Sequence, residues 1–109
     1  MIPAHKHLVQ WGIDRGFTIE IVCEAETDYV GTDYNEAIET IEATEYGAIH
    51  FSEPSKEIAW FYYIFDYDQE PNEIINDYGI NEVTEQWQKD YDDFYENCEV
   101  KYVYTPSNN

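Results

Sequence analysis

Carboxylates dominate the groups in this chain that could do chemistry. The only histidines are His5, His7 and His50, and the only cysteines are Cys23 and Cys98. A metal site would need several of these joined at defined geometry. His5 and His7 stand two residues apart, which on a helix turns them about 200° from each other. His50 reads as a satisfied polar neighbour in a strand. The two thiols are far apart and outside any CxxC pattern, so they read as reduced and partly buried. Asp66-x-Asp68-x-Glu70 begins like a calcium loop, but Pro71 stands where the sixth-position glycine belongs and Asp77 takes the twelfth. Carboxylate pairs of the kind that serve hydrolysis are too abundant here for any one to stand out. There is no GxSxG, no HExxH, no Gly-rich phosphate loop and no Cys–His motif. The expectation is a protein that is not an enzyme and carries neither metal nor cofactor.

The carboxylates do show arrangement. Glu36, Glu39 and Glu42 fall on one predicted helix, and Glu82, Glu85, Asp92, Asp93 and Glu96 on another. At spacings of three or four residues, helical side chains are neighbours about 5–6 Å apart. A DNA strand shows one charge per about 3.4 Å along its axis, so two acidic helices can imitate a phosphate ladder. Asp66 and Asp68 add two acids between the helices. These ten residues are the expected contacts with a partner. The bland alternative for either helix alone is a solvated face. Against it stands the spread of the excess: nine acids and no Lys or Arg from Glu20 to Glu45, and 13 acids against Lys89 alone from Glu57 to Glu99. Like charges at i and i+4 also destabilise a helix by a few tenths of a kcal/mol per pair.

Elements that would position these groups follow from periodicity. Pro3, the stripe Leu8, Val9 and Trp11, and the stop at Gly16 predict a helix over roughly 3–15. Phe17, Ile19, Ile21 and Cys23 alternate as in a strand, which runs on in this reading as far as Tyr29 or Val30. Thr32 or Asp33 caps a helix with the stripe Tyr34, Ala37, Ile38 and Ile41, with Glu36 in capping-box position. Ala48–Ser52 and Glu57–Tyr67 read as the arms of a hairpin across Glu53–Lys56. Ile58 to Phe65 is apolar or aromatic on both faces, which calls for helices on both sides of the sheet or a dimer partner on one. Pro71 opens a short helical turn to Tyr78, Gly79 stops it, and Asn81 caps a helix over 82–97 whose inner side is Val83, Trp87, Tyr91, Phe94, Tyr95 and Cys98. Val100–Tyr104 alternates as a last strand. The sum is a single α+β domain over 1–109: an antiparallel sheet of three to four strands with three to four helices packed on it.

The chain has 109 residues and a net charge of −19, from 24 Asp and Glu against five Lys and Arg. With apolar residues at 43% and aromatics at 17%, it can build a core despite that charge, which separates it from disordered acidic chains. Its field repels nucleic acid and anionic membrane and steers cationic partners inward. Without a membrane-length apolar run or a leader pattern at its start, it is expected in the cytoplasm, the host's if phage-encoded.

Size, charge and the succession of helix, strand, acidic helix and hairpin with Trp60, then Glu70-Pro71, Asp77-Tyr78, Asn81 and Trp87, resemble the small acidic proteins that tailed bacteriophages make against host functions. That resemblance implies DNA mimicry: occupation of the nucleic-acid groove of a restriction, CRISPR or other DNA-binding protein. It supplies no site residues, so the contacts remain those placed by charge. The expected partner is therefore a basic nucleic-acid-binding protein, with no direct binding of nucleic acid and room for a homodimer. Two other readings stay open: an immunity or antitoxin protein that blocks a basic nuclease toxin, and adaptation to high salt.

Overall fold

In the computed structural model, residues 2–53, 56–65 and 70–107 are described, with the side chains of 72 and 97–107 excepted. Helix α1 (Ala4–Asp14) buries Ala4, His5, Leu8, Val9, Trp11 and Gly12. Gly16 ends it at φ 84, a left-handed conformation that a residue without Cβ adopts freely. Gly12 lies mid-helix, where glycine costs about 1 kcal/mol relative to alanine. A Cβ there would stand 2.6 Å from the Phe51 ring, so the glycine lets the helix lie directly on the sheet.

Strand β1 (Thr18–Cys23) does not continue to Tyr29 or Val30 as one strand. The chain reverses at Glu24 and Ala25, at φ 53 and 66, and returns as β2 (Glu26–Gly31). This is the mirror-image geometry of a two-residue hairpin, usually announced by Asn-Gly. Left-handed backbone costs these two residues of order 1 kcal/mol each. Pairing of Val22 with Thr27 and Cys23 with Glu26 imposes it, and the Tyr46 hydroxyl donates to Glu24 Oε1 at 2.9 Å.

Helix α2 (Tyr34–Glu42) starts where expected, with Asp33 Oδ1 accepting from the Glu36 N–H at 3.0 Å. The Asp33 N–H, which a capping box would give to Glu36, donates instead to Tyr29 Oη at 2.8 Å. The hairpin arms are β3 (Tyr46–Glu53) and β4 (Lys56–Ile64), antiparallel as predicted. A 3-10 turn over Pro71–Glu73 then leads to β5 (Ile75–Tyr78), which replaces the rest of the helical turn expected up to Tyr78. The free edge of β4 offers this short segment hydrogen bonds with Phe61, Tyr62 and Tyr63 opposite, whereas so short a helix is costly to nucleate.

Asn81 Oδ1 caps α3 (Glu82–Ser107), accepting from the Val83 and Thr84 N–H groups at 2.9 and 3.0 Å. The helix runs through the expected strand Val100–Tyr104. Continuing a formed helix adds a hydrogen bond per residue with no new nucleus, while a strand needs a partner edge.

Among the described residues the sheet has the order β2-β1-β3-β4-β5, every pair antiparallel: five strands against the three to four expected, with three α-helices. The α+β class holds. Helix α1 lies between α2 and α3 and touches both, and the three pack on β1, β2 and β4. Their side of the sheet presents Ile19, Ile21, Ile49, Phe51, Phe61 and Tyr63, which close the core with Leu8, Val9, Trp11, Ala37, Ile41, Trp87 and Tyr91.

Candidate partner-binding surfaces

The acids of α3 form a ridge. At about 100° per residue, Glu82, Glu85, Asp92, Asp93 and Glu96 fall within roughly 100° of arc and about 21 Å of helix length. All five are exposed. Lys89 sits inside the ridge and its Nζ lies 3.5 Å from Asp93 Oδ2, while Gln88 donates to Asp92 at 2.8 Å. Among the described residues, no Lys, Arg or His pairs with Glu82, Glu85 or Glu96. Glu82 and Glu85 also occupy the first turn of α3, and Glu36 that of α2, where a negative charge favours the helix dipole.

The acids of α2 part company. A three-residue step turns back about 60°, so Glu42 points some 120° away from Glu36. Glu36 and Glu39 remain exposed, but Glu42 faces α1, where its Oε2 is 2.7 Å from His5 Nε2 and 4.0 Å from Lys6 Nζ. Glu42, expected among the contacts for a basic partner, is thus placed away from Glu36 and Glu39 and paired within the chain. Asp66 and Asp68, with the calcium-loop resemblance they carried, lie outside the described residues.

The histidines of α1 serve packing. His5 is 1% exposed, and burial holds its pKa below the ordinary 6.5 despite the hydrogen bond to Glu42. Its Nδ1 has no partner among the described residues. A neutral ring that donates from Nε2 leaves there only an unused lone pair, whereas a protonated ring would leave a buried N–H. His7 Nδ1 accepts from Trp87 Nε1 at 3.1 Å amid the rings of Trp87, Tyr91 and Phe94, and burial lowers its pKa too. Asp90, on the α1 side of α3, accepts from Trp11 Nε1 at 2.8 Å, from Arg15 Nη2 at 3.3 Å and from Gln86 Nε2 at 2.8 Å. The Trp11 bond, with Gln86 and Arg15 behind it, holds the Asp90 carboxyl below its ordinary range. Two of the few cations, Lys6 and Arg15, thus link α1 to its flanking helices.

The second surface is the sheet face away from the helices. Cross-strand partners place Val22, Ala48, Tyr62 and Asp77 in one row and Glu20, His50 and Trp60 in the next, with Tyr46 opposite Ile64. Tyr46 and Tyr62 are 50% exposed and Ile64 46%. Beside them runs a groove of about 470 Å³ whose lining includes Val22, Glu24, Tyr46, Ala48, Tyr62 and Ile64, together with His50 and Tyr63. The Trp60 ring lies 4.7 Å from that of Tyr62 between centroids, tilted at 42° to it, and His50 Nδ1 is hydrogen-bonded to Glu57 Oε1. The Tyr46 hydroxyl, bonded to Glu24, is pushed above its ordinary pKa by that carboxylate. Cys23 donates from Sγ to the Tyr46 carbonyl at 3.3 Å, and burial with Asp28, Glu24 and Glu26 nearby raises its thiol pKa.

No protein family, curated protein sequence or solved structure matches this chain.

Function must therefore be read from these two surfaces. Charge placement found the α3 ridge but passed over the open sheet face, although its signal was present in the two-sided pattern of Ile58 to Phe65. Among the described residues no group of three or more His, Cys, Asp and Glu could hold a metal ion, and no helix is long and apolar enough to cross a membrane. A shallower groove of about 370 Å³ runs beside the ridge, between Tyr78 of β5 and Glu85, Gln88, Lys89, Asp92 and Asp93. Burial and the carboxylates of Asp92, Glu85 and Asp77 raise the Tyr78 hydroxyl.

Proposed function

We propose that this protein is an acidic inhibitor that occupies the basic nucleic-acid-binding site of another protein and competes there with DNA. The observation that carries the reading is the α3 ridge: Glu82, Glu85, Asp92, Asp93 and Glu96, exposed along one side of a single helix. Glu36 and Glu39 extend the acidic surface on α2. A field of this sign speeds the encounter with a cationic groove, and the resulting complex weakens as salt rises. No catalytic step belongs to this reading.

The test is capture of binding proteins from a bacterial lysate on the tagged chain at low salt, followed by a salt gradient. A nucleic-acid-binding protein released by salt and displaced by duplex DNA supports mimicry. A partner that duplex DNA does not displace rules it out.

The open sheet face favours a second reading, an immunity protein that blocks one basic nuclease toxin. Half-exposed Tyr46 and Tyr62 are the kind of aromatic anchors around which a compact hot spot forms. Alanine scanning separates the two. A shallow loss spread over the ridge fits mimicry, and a steep loss at one or two residues of the sheet face fits immunity.

A further inference from the structure

We propose that the groove on the open sheet face is a receptor for the guanidinium side chain of an arginine presented by a basic partner protein. Its lining joins two features that such a side chain needs together. Val22, Ala48 and Ile64 offer aliphatic surface to the stem, and the half-exposed rings of Tyr46 and Tyr62 offer faces on which a planar guanidinium stacks. Glu24, held by the Tyr46 hydroxyl at 2.9 Å, supplies a carboxylate acceptor on the same lining.

The chain already uses this chemistry internally. Arg15 Cζ lies 3.7 Å from the centroid of the Trp11 ring while its Nη2 donates to Asp90 Oδ2 at 3.3 Å. The groove offers the same pair of partners, an aromatic face and a carboxylate, with no arginine of its own: Arg15 is the only arginine in the sequence. Charge selects a basic protein over a second copy of this chain. Face-to-face pairing of two copies would oppose Glu20, Glu24, Glu57 and Asp77 of each, in an assembly of two chains at −19 apiece. The identity of a basic partner rests on the functional reading above, but the groove can be tested without any partner.

The test is a titration of the full chain with Nα-acetyl-arginine methylamide at about 150 mM NaCl, where exposed charges are screened beyond about 8 Å. Binding is followed through the NMR signals of the tyrosine rings and isoleucine methyls. The expected result is saturable movement of the Tyr46, Tyr62 and Ile64 signals, with little response to the uncharged norleucine analogue. Tyr62→Thr leaves the net charge unchanged and Glu24→Gln keeps the shape of the side chain. Each should weaken binding by roughly three- to fivefold, the size of one exposed cation–π contact or charge-assisted bond. Glu36→Gln and Glu39→Gln should leave it unaltered. Equal binding of the norleucine analogue, unchanged affinity in Tyr62→Thr, or movement confined to the α3 ridge would each overturn the proposal. So would a dimer in sedimentation equilibrium that Tyr62→Thr disperses. Failure here leaves DNA displacement of a captured partner as a separate result, so the two readings fall independently.

Discussion

The two faces of the one sheet differ in what covers them more than in what they are made of. Under the helices, Ile19, Ile21, Ile49, Phe51, Phe61 and Tyr63 are at most 1% exposed. On the opposite face, alternate residues of the same strands include Val22, Trp60, Tyr62, Tyr46 and Ile64, with Tyr46, Tyr62 and Ile64 about half exposed. An antiparallel sheet with one face in water ordinarily alternates apolar with polar side chains. Here the outward face keeps aromatic and aliphatic groups that the folded chain does not bury. Core packing explains the first face. It does not account for the second, which the proposal above assigns to a partner.

The largest effect should come from breaking the covered face. Phe51→Ala removes a ring packed against Trp11, Phe17 and Phe61 and should cost about 3–5 kcal/mol in urea unfolding. A loss below about 1 kcal/mol would mean that the helix layer sits loosely on the sheet. Gly12→Ala tests the same contact from the helix side. Despite a better helix propensity, its methyl meets the Phe51 ring, and a net loss of about 1–3 kcal/mol is expected.

Acidification sharpens the comparison, since His5 and His7 belong to the helix layer. Both have folded pKa values lowered from 6.5, mainly by burial, so the unfolded chain binds more protons. Their contribution to stability is full above about 6.5 and falls as pH drops below it toward the folded values. Protonation of the many carboxylates, which relieves self-repulsion, acts the other way nearer pH 4. Denaturant midpoints of the parent and of His5→Gln should therefore converge between pH 7.5 and 5.5. An unchanged gap would show that His5 does not resist protonation. The smallest effect belongs to the open face: Tyr62→Thr keeps strand propensity and should change stability by less than about 1 kcal/mol. A core-sized loss would mean that this face supports the fold.

Legibility followed the range of each interaction. The caps at Asp33 and Asn81 and the stop at Gly16 depend on residues within one turn, and all three stand where the sequence puts them. The hairpin at Glu24 and Ala25 was hidden because neither residue marks a left-handed turn; pairing between β1 and β2 forces it. Strand β5 was missed for a similar reason, since Ile75–Tyr78 becomes a strand by meeting the edge of β4. Among the candidate contacts, the α3 ridge was readable from spacing alone. The pairing of Glu42 was not readable, because its spacing says nothing about His5 and Lys6 on another helix.

By itself the sequence determined the net charge, the helix starts and the alternation of the central strands, because these rest on side-chain chemistry and on contacts a few residues long. Only the tertiary structure decided that all three helices lie on one side of the sheet, that Glu42 is engaged and that the other face is left open. Those outcomes depend on which surfaces the chain brings together across dozens of residues. The residues of β4 are apolar toward both sides, and a strand with two buriable faces does not specify which of them its own helices will cover.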